Sequence, residues 1–147
     1  MDVTRDSTAT PEAVWAILTD LDRFADAADI EAIERLDDGT GFDVGTRWRE
    51  TRRMFGRSAT EDMGVTAIEP GRSYRVEAES RGTHYRSVVS VAPHDGGSRL
   101  TMSFQASGQN LVSKVMGATL GRLFTPMVKQ ALGKDLEAVA RSAERSS

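Results

Sequence analysis

Apolar and polar positions along the chain change their period twice. Val14, Trp15, Ile17, Leu18 and Leu21 recur at the three-to-four-residue spacing of a helix. Phe24 extends that face into a second short helix. From about Gly45 to Gly108 the period falls to two, which puts alternate residues on opposite sides of a sheet. Leu100, Met102, Phe104 and Ala106 share one face, against Thr101, Ser103 and Gln105 on the other. Tyr74, Val76, Ala78 and Ser80 oppose Arg75, Glu77, Glu79 and Arg81, while Tyr85, Ser87, Val89 and Val91 form a further apolar-leaning face. After Leu111 the helical period returns. Leu120, Phe124, Val128, Leu132, Leu136, Val139 and Ala143 follow steps of three or four, to about Glu144.

Local signals punctuate this pattern. Ser7 to Glu12 reads as a short strand that ends in a helix start. Thr10 can cap the helix, Pro11 suits its first position, and Glu12 complements its positive end. Asp37-Asp38-Gly39, Gly41, Gly56, Glu69-Pro70-Gly71, Arg81-Gly82 and Pro93 to Gly97 mark turns, and their spacing predicts a meander of antiparallel strands. Pro126 predicts a kink in the last helix, because proline removes a backbone bond and clashes with the preceding turn. In that helix the leucine row should face the sheet, with Lys129, Lys134, Glu137 and Arg141 turned to water.

The strand from Gly45 to Gly56 carries the sharpest polar feature. Trp48, Glu50, Arg52 and Met54 alternate, so they share a face; Arg47, Arg49, Thr51 and Arg53 share the other. If Trp48 points inward, Glu50 and Arg52 do too. Buried charges are costly unless paired, so a mutual Glu50–Arg52 pair, or one completed by Tyr85, is the expected polar spot. An arginine held there presents a donor fork suited to a carboxylate or carbonyl. The outer arginines read as a solvated face with partners among Glu61, Asp62, Glu77 and Glu79.

Composition narrows the function. The 147 residues suit one domain spanning 1–147. A net charge of −3 argues against a nucleic-acid partner, whose footprint is usually basic. Without cysteine there are no disulfides or thiolate metal sites. No secretory signal and no apolar run of membrane-spanning length is visible, so a cytoplasmic location without a membrane span is expected. The two histidines, His84 and His94, pair with no serine or carboxylate in a catalytic or metal-binding motif, and no cofactor is implied.

Four segments carry a family resemblance: Ala9 to Phe24, Val44 to Trp48, Ile68 to Arg72 and Gly97 to Thr101. Together with the element order, they resemble the START-like, or SRPBCC, superfamily and its polyketide cyclase/dehydrase branch over nearly the whole chain. The resemblance implies an α+β helix-grip fold. A curved antiparallel sheet of six or seven strands would wrap a long C-terminal helix, with two short helices after the first strand and a cavity between sheet and helix. Relatives often carry a Trp/Pro-rich stretch where this chain has Ala25 to Asp29, which implies a different entrance. A cavity needs apolar walls and a few oriented polar groups. The expected ligand-binding residues are Trp48, Glu50, Arg52, Met54, Tyr74, Tyr85, Met102, Phe104, Met116, Leu120 and Phe124. The expected partner is a small apolar molecule, bound or carried. The alternatives are a cyclase/dehydratase acting on a polyketide-like substrate, and a protein-interaction module with a filled cavity.

Overall fold

The structure, a computed structural model, describes residues 1–28, 30–54, 56–80, 82–108 and 129–145. It opens with β1 (Asp2–Ser7), α1 (Pro11–Leu18) and α2 (Leu21–Ala27). The strands β2 (Ala32–Arg35), β3 (Arg47–Met54), β4 (Arg57–Glu69), β5 (Ser73–Ser80), β6 (Thr83–His94) and β7 (Gly97–Gly108) follow. A last helix, α3, is described over 129–145. All seven strands form one antiparallel, curved sheet in the order β1-β7-β6-β5-β4-β3-β2. Together with α3 this is the helix-grip α+β fold.

The helix starts follow their local chemistry. The Ala13 N–H donates to Thr10 Oγ1, with Pro11 in the first turn. Asp20 caps α2 by accepting from the N–H groups of Asp22 and Arg23. Between β6 and β7 the two-residue link Asp95-Gly96 has φ of 48° and 81°. Two successive positive φ values make the turn whose twist matches a hairpin, and Gly96 adopts them at no steric cost.

Two boundaries differ from the sequence reading. The first strand lies at Asp2–Ser7, starting five residues before the expected Ser7 to Glu12, and pairs with β7 from Asp2↔Ser103 to Ser7↔Ser98. Thr8 and Ala9 instead turn the chain into α1. The Ser98 hydroxyl donates to the Ala9 carbonyl at 2.6 Å, and the Ala9 N–H donates to Ser7 Oγ. The polar composition of Asp2–Ser7, with only Val3 and Ser7 buried, hides its alternation. The strand β2 had no separate signal, because its four residues carry only a weak apolar alternation.

The core gathers Val3, Ala9, Val14, Ile17 and Leu18 against Val89, Val91 and Leu100 of the sheet and Leu136, Val139, Ala140 and Ala143 of α3. In α3, Lys129, Lys134 and Arg141 are exposed, and Glu137 is half-buried between Arg141 and Arg5. Leu120, Val128 and Pro126, with its expected kink, lie outside the described residues. The end of α3 is tied to β1. The Ser7 hydroxyl lies 2.9 Å from Glu144 Oε2 and 3.1 Å from the Ala140 carbonyl, and the Thr8 N–H donates to the same Glu144 oxygen. Gly97 is a close-approach position: a Cβ there would collide with the Ser7 carbonyl oxygen. In β4 the register slips between Val65 and Ala67, a bulge of the kind that bends a strand.

Candidate functional site

A cavity of about 330 Å³ lies between the sheet, the two short helices and α3. Strand parity decides its walls. Trp48, Glu50 and Arg52 of β3 face it, as do Ala59, Glu61 and Met63 of β4. Tyr74, Val76 and Ala78 of β5, Tyr85, Ser87 and Val89 of β6, and Met102 and Phe104 of β7 complete the sheet side. Leu18, Leu21, Phe24 and Phe42 close one end, and Ala131, Leu132 and Asp135 come from α3. Arg47, Arg49 and Arg53 are exposed on the other face of β3. Arg49 bonds Asp62 there at 2.7 Å.

The apolar wall is unusually aromatic. Among the described residues, six aromatic side chains line the cavity: Phe24, Phe42, Trp48, Tyr74, Tyr85 and Phe104. Phe42 sits edge-on to Tyr74 at 4.9 Å between ring centres, and Tyr85 stacks on Phe104 at 5.8 Å. The buried Tyr74 hydroxyl points at the Leu18 carbonyl, 3.5 Å away. Burial, with the Glu50 carboxylate adding to it, pushes its phenol pKa well up, so it stays protonated at any physiological pH.

One polar cluster interrupts that wall. The Arg52 Nε donates to Glu50 Oε2 at 2.9 Å, and its Nη1 donates to Asp135 Oδ2 at 2.7 Å. The Trp48 indole N–H donates to the other Glu50 oxygen at 3.2 Å. Glu50 and Asp135 are 4% and 8% exposed, so these charges rely on one another rather than on water. Burial alone would lower the Arg52 pKa, but Asp135 and Glu50 offset it and the guanidinium is held more firmly charged than usual. Burial raises the Asp135 carboxyl above its ordinary range, with Arg52 opposing and Glu50 reinforcing the rise.

This arrangement differs from the sequence reading in two places. Tyr85 lines the cavity but makes no hydrogen bond to the Glu50–Arg52 pair among the described residues; Asp135 completes the pair instead. Helical phase carries the signal for it. Asp135 lies three residues after Leu132 and four before Val139, on the apolar stripe of α3. Glu61 is on the cavity face, not among the outer partners, because it stands opposite Glu50 in the β3–β4 register. The side chain of Met54 and all of Met116, Leu120 and Phe124 lie outside the described residues.

The two histidines stand apart from the site. His84 Nε2 lies 2.8 Å from Glu77 Oε1, and His94 contacts Arg99 beside the β6–β7 hairpin. Among the described residues no group of three or more His, Asp or Glu side chains is placed to hold a metal ion, and no helix is long and apolar enough to cross a membrane.

The sequence model of a family described as "polyketide cyclase / dehydrase and lipid transport" matches residues 1–144. No curated protein matches the sequence. Solved structures resemble the fold throughout. TTHA0849 from Thermus thermophilus superposes with a TM-score of 0.80 at 16% identity, covering 100% of this chain and 98% of that one. The di-domain ARO/CYC StfQ from the steffimycin biosynthetic pathway gives 0.79 at 9% identity, covering 99% of this chain and 50% of that one. Truncated norcoclaurine synthase from Thalictrum flavum gives 0.71 at 14% identity, covering 96% and 90%.

Proposed function

The chain belongs to the polyketide cyclase/dehydrase and lipid transport family, and from that premise we propose that it binds a small, mostly apolar organic molecule in the cavity between its sheet and α3. The observation that carries this reading is the cavity itself: about 330 Å³, mostly apolar and aromatic, with one polar cluster on its wall. Its size falls within the roughly 300–1,000 Å³ of small-molecule sites, which favours binding over an interaction module with a filled interior. Arg52 anchors the polar end, held by Glu50 and Asp135, and the aromatic rings supply the contact area.

The test is direct. The uncharged dye N-phenyl-1-naphthylamine should brighten on binding and be displaced by the natural ligand. Native mass spectrometry of protein purified from its own host should show that ligand as added mass. A chain that stays at its unliganded mass, and in whose presence the dye stays dark, would remove the reading.

One observation favours a second reading, cyclase/dehydratase chemistry on a polyketide-like substrate. Asp135 is a carboxyl at the cavity wall whose pKa burial raises toward the range where a group both takes and gives protons. Turnover of a poly-β-keto substrate, lost in Asp135→Asn while dye binding persists, would distinguish enzyme from carrier.

A further inference from the structure

The charged groups on the cavity wall do not balance. Among the described residues they are Glu50, Glu61 and Asp135 against the single guanidinium of Arg52. Glu50 and Glu61 stand directly opposite each other on neighbouring strands, a placement of like charges that works against the sheet. Arg52 spends its Nε on Glu50 and its Nη1 on Asp135. Among the described residues, its Nη2 and the second Asp135 oxygen, Oδ1, make no hydrogen bond. Neither is sealed away: among the described side chains only Arg35 Nε is buried without a partner.

Two consequences follow for what can sit there. With all three acids ionised the described wall carries a formal −2, and with Asp135 protonated a formal −1, so the described residues give it a net negative charge at neutral pH. A ligand carboxylate would bring a further negative charge to a wall on which the one cation among the described residues already has two carboxylate partners. A hydroxyl meets the opposite situation. It can donate to Asp135 Oδ1 and accept from Arg52 Nη2, because an O–H group does both.

Resting on the binding function above, we propose that this wall is a charge filter: the cavity takes uncharged, hydroxyl-bearing aromatic molecules and rejects their carboxylate counterparts. Six aromatic side chains around the cavity supply the stacking surface for such a ring.

The experiment compares 2-naphthol with 2-naphthoate at neutral pH, read by displacement of N-phenyl-1-naphthylamine and by calorimetry. The wild-type protein should bind the naphthol at least about tenfold more tightly, since like charges brought together at a binding site are strongly penalised. Asp135→Asn and, separately, Glu61→Gln should each narrow that ratio severalfold, mainly by improving naphthoate binding. Glu61→Gln leaves the Glu50–Arg52–Asp135 cluster intact, so the comparison survives if Asp135→Asn folds poorly. Equal binding of the two probes, tighter binding of naphthoate, or an unchanged ratio in a folded variant would overturn the filter while leaving the dye-binding result standing. Failure of the dye and both probes to bind would overturn the cavity function and the filter with it.

Discussion

Replacing Arg52 with methionine isolates the energetics of the buried cluster. Methionine keeps much of the side-chain length and removes the charge. It leaves Glu50 and Asp135, 4% and 8% exposed, without the cation they share. Breaking a buried pair from one side costs about 3–5 kcal/mol, because an uncompensated charge remains. Arg52 itself keeps 22% of its side chain exposed, so some screening discounts that figure, to roughly 2–3 kcal/mol at neutral pH. For a chain of this size that is a fall in melting temperature of about 4–12 °C. The pH dependence carries the diagnosis. As pH falls, the stranded Asp135, whose pKa burial already raises, takes up a proton and the penalty shrinks, so the variant should approach the wild type toward pH 4. Urea unfolding across pH 4–8 measures this. A cost within about 0.5 kcal/mol at neutral pH, the range of ordinary surface changes, or a cost that does not vary with pH, would refute the cluster as a buried, mutually dependent unit. In the double variant, Asp135→Asn should recover part of the loss.

Three further outcomes are expected. Leu136→Ala, at a site 1% exposed, should cost on the order of 2–5 kcal/mol in chemical unfolding, and Leu132→Ala less, because Leu132 is only half-buried at the cavity. Asp135→Asn alone should flatten one slope of the stability–pH curve. The native carboxyl's pKa is raised above 3.8, so the native state holds a proton that the unfolded state has released. Wild-type stability therefore falls as pH rises from that value through the native pKa, and the asparagine variant lacks this fall; equal slopes would contradict it. Gly97→Ala should destabilise by about 1–3 kcal/mol, the scale of overpacking, because its new methyl group collides with the Ser7 carbonyl oxygen rather than with a movable side chain.

What could be read before any coordinates reflects how local each signal is. The faces of β5, β6 and β7 follow from residue parity, since a period of two is fixed by the backbone alone. The start of α1 follows from Thr10, Pro11 and Glu12 within three residues. Glu50 and Arg52 were placed together because they are two positions apart on one strand. Asp135 was not, because its partner is 83 residues away and nothing in local sequence fixes how α3 is rotated against the sheet. Glu61 was misassigned for a related reason. Its face depends on the phase of β4, and Thr60 and Asp62 beside it are as polar as it is. β1 stayed hidden because an edge strand under a helix end needs only two buried side chains, Val3 and Ser7, to hold it.

The pairing of β1 with β7, and its ties to the end of α3, also set how this chain reaches its fold. Residues 2–7 find their partners at 98–103, and Ser7 and Thr8 find theirs at 140 and 144. Neighbouring strands from β2 to β7 can zip up in order, each closing a short loop. The closing of β1 joins positions about a hundred residues apart, and its docking on α3 joins positions farther apart still. Loop entropy is spent before those contacts return anything, which makes such closures slow. During synthesis, β1 and α1 emerge before the rest of this fold and wait with Val3, Val14, Ile17 and Leu18 uncovered until α3 arrives. The helix that completes the core is thus made after the strands it covers, and the interval before it arrives is when this fold is most exposed to aggregation.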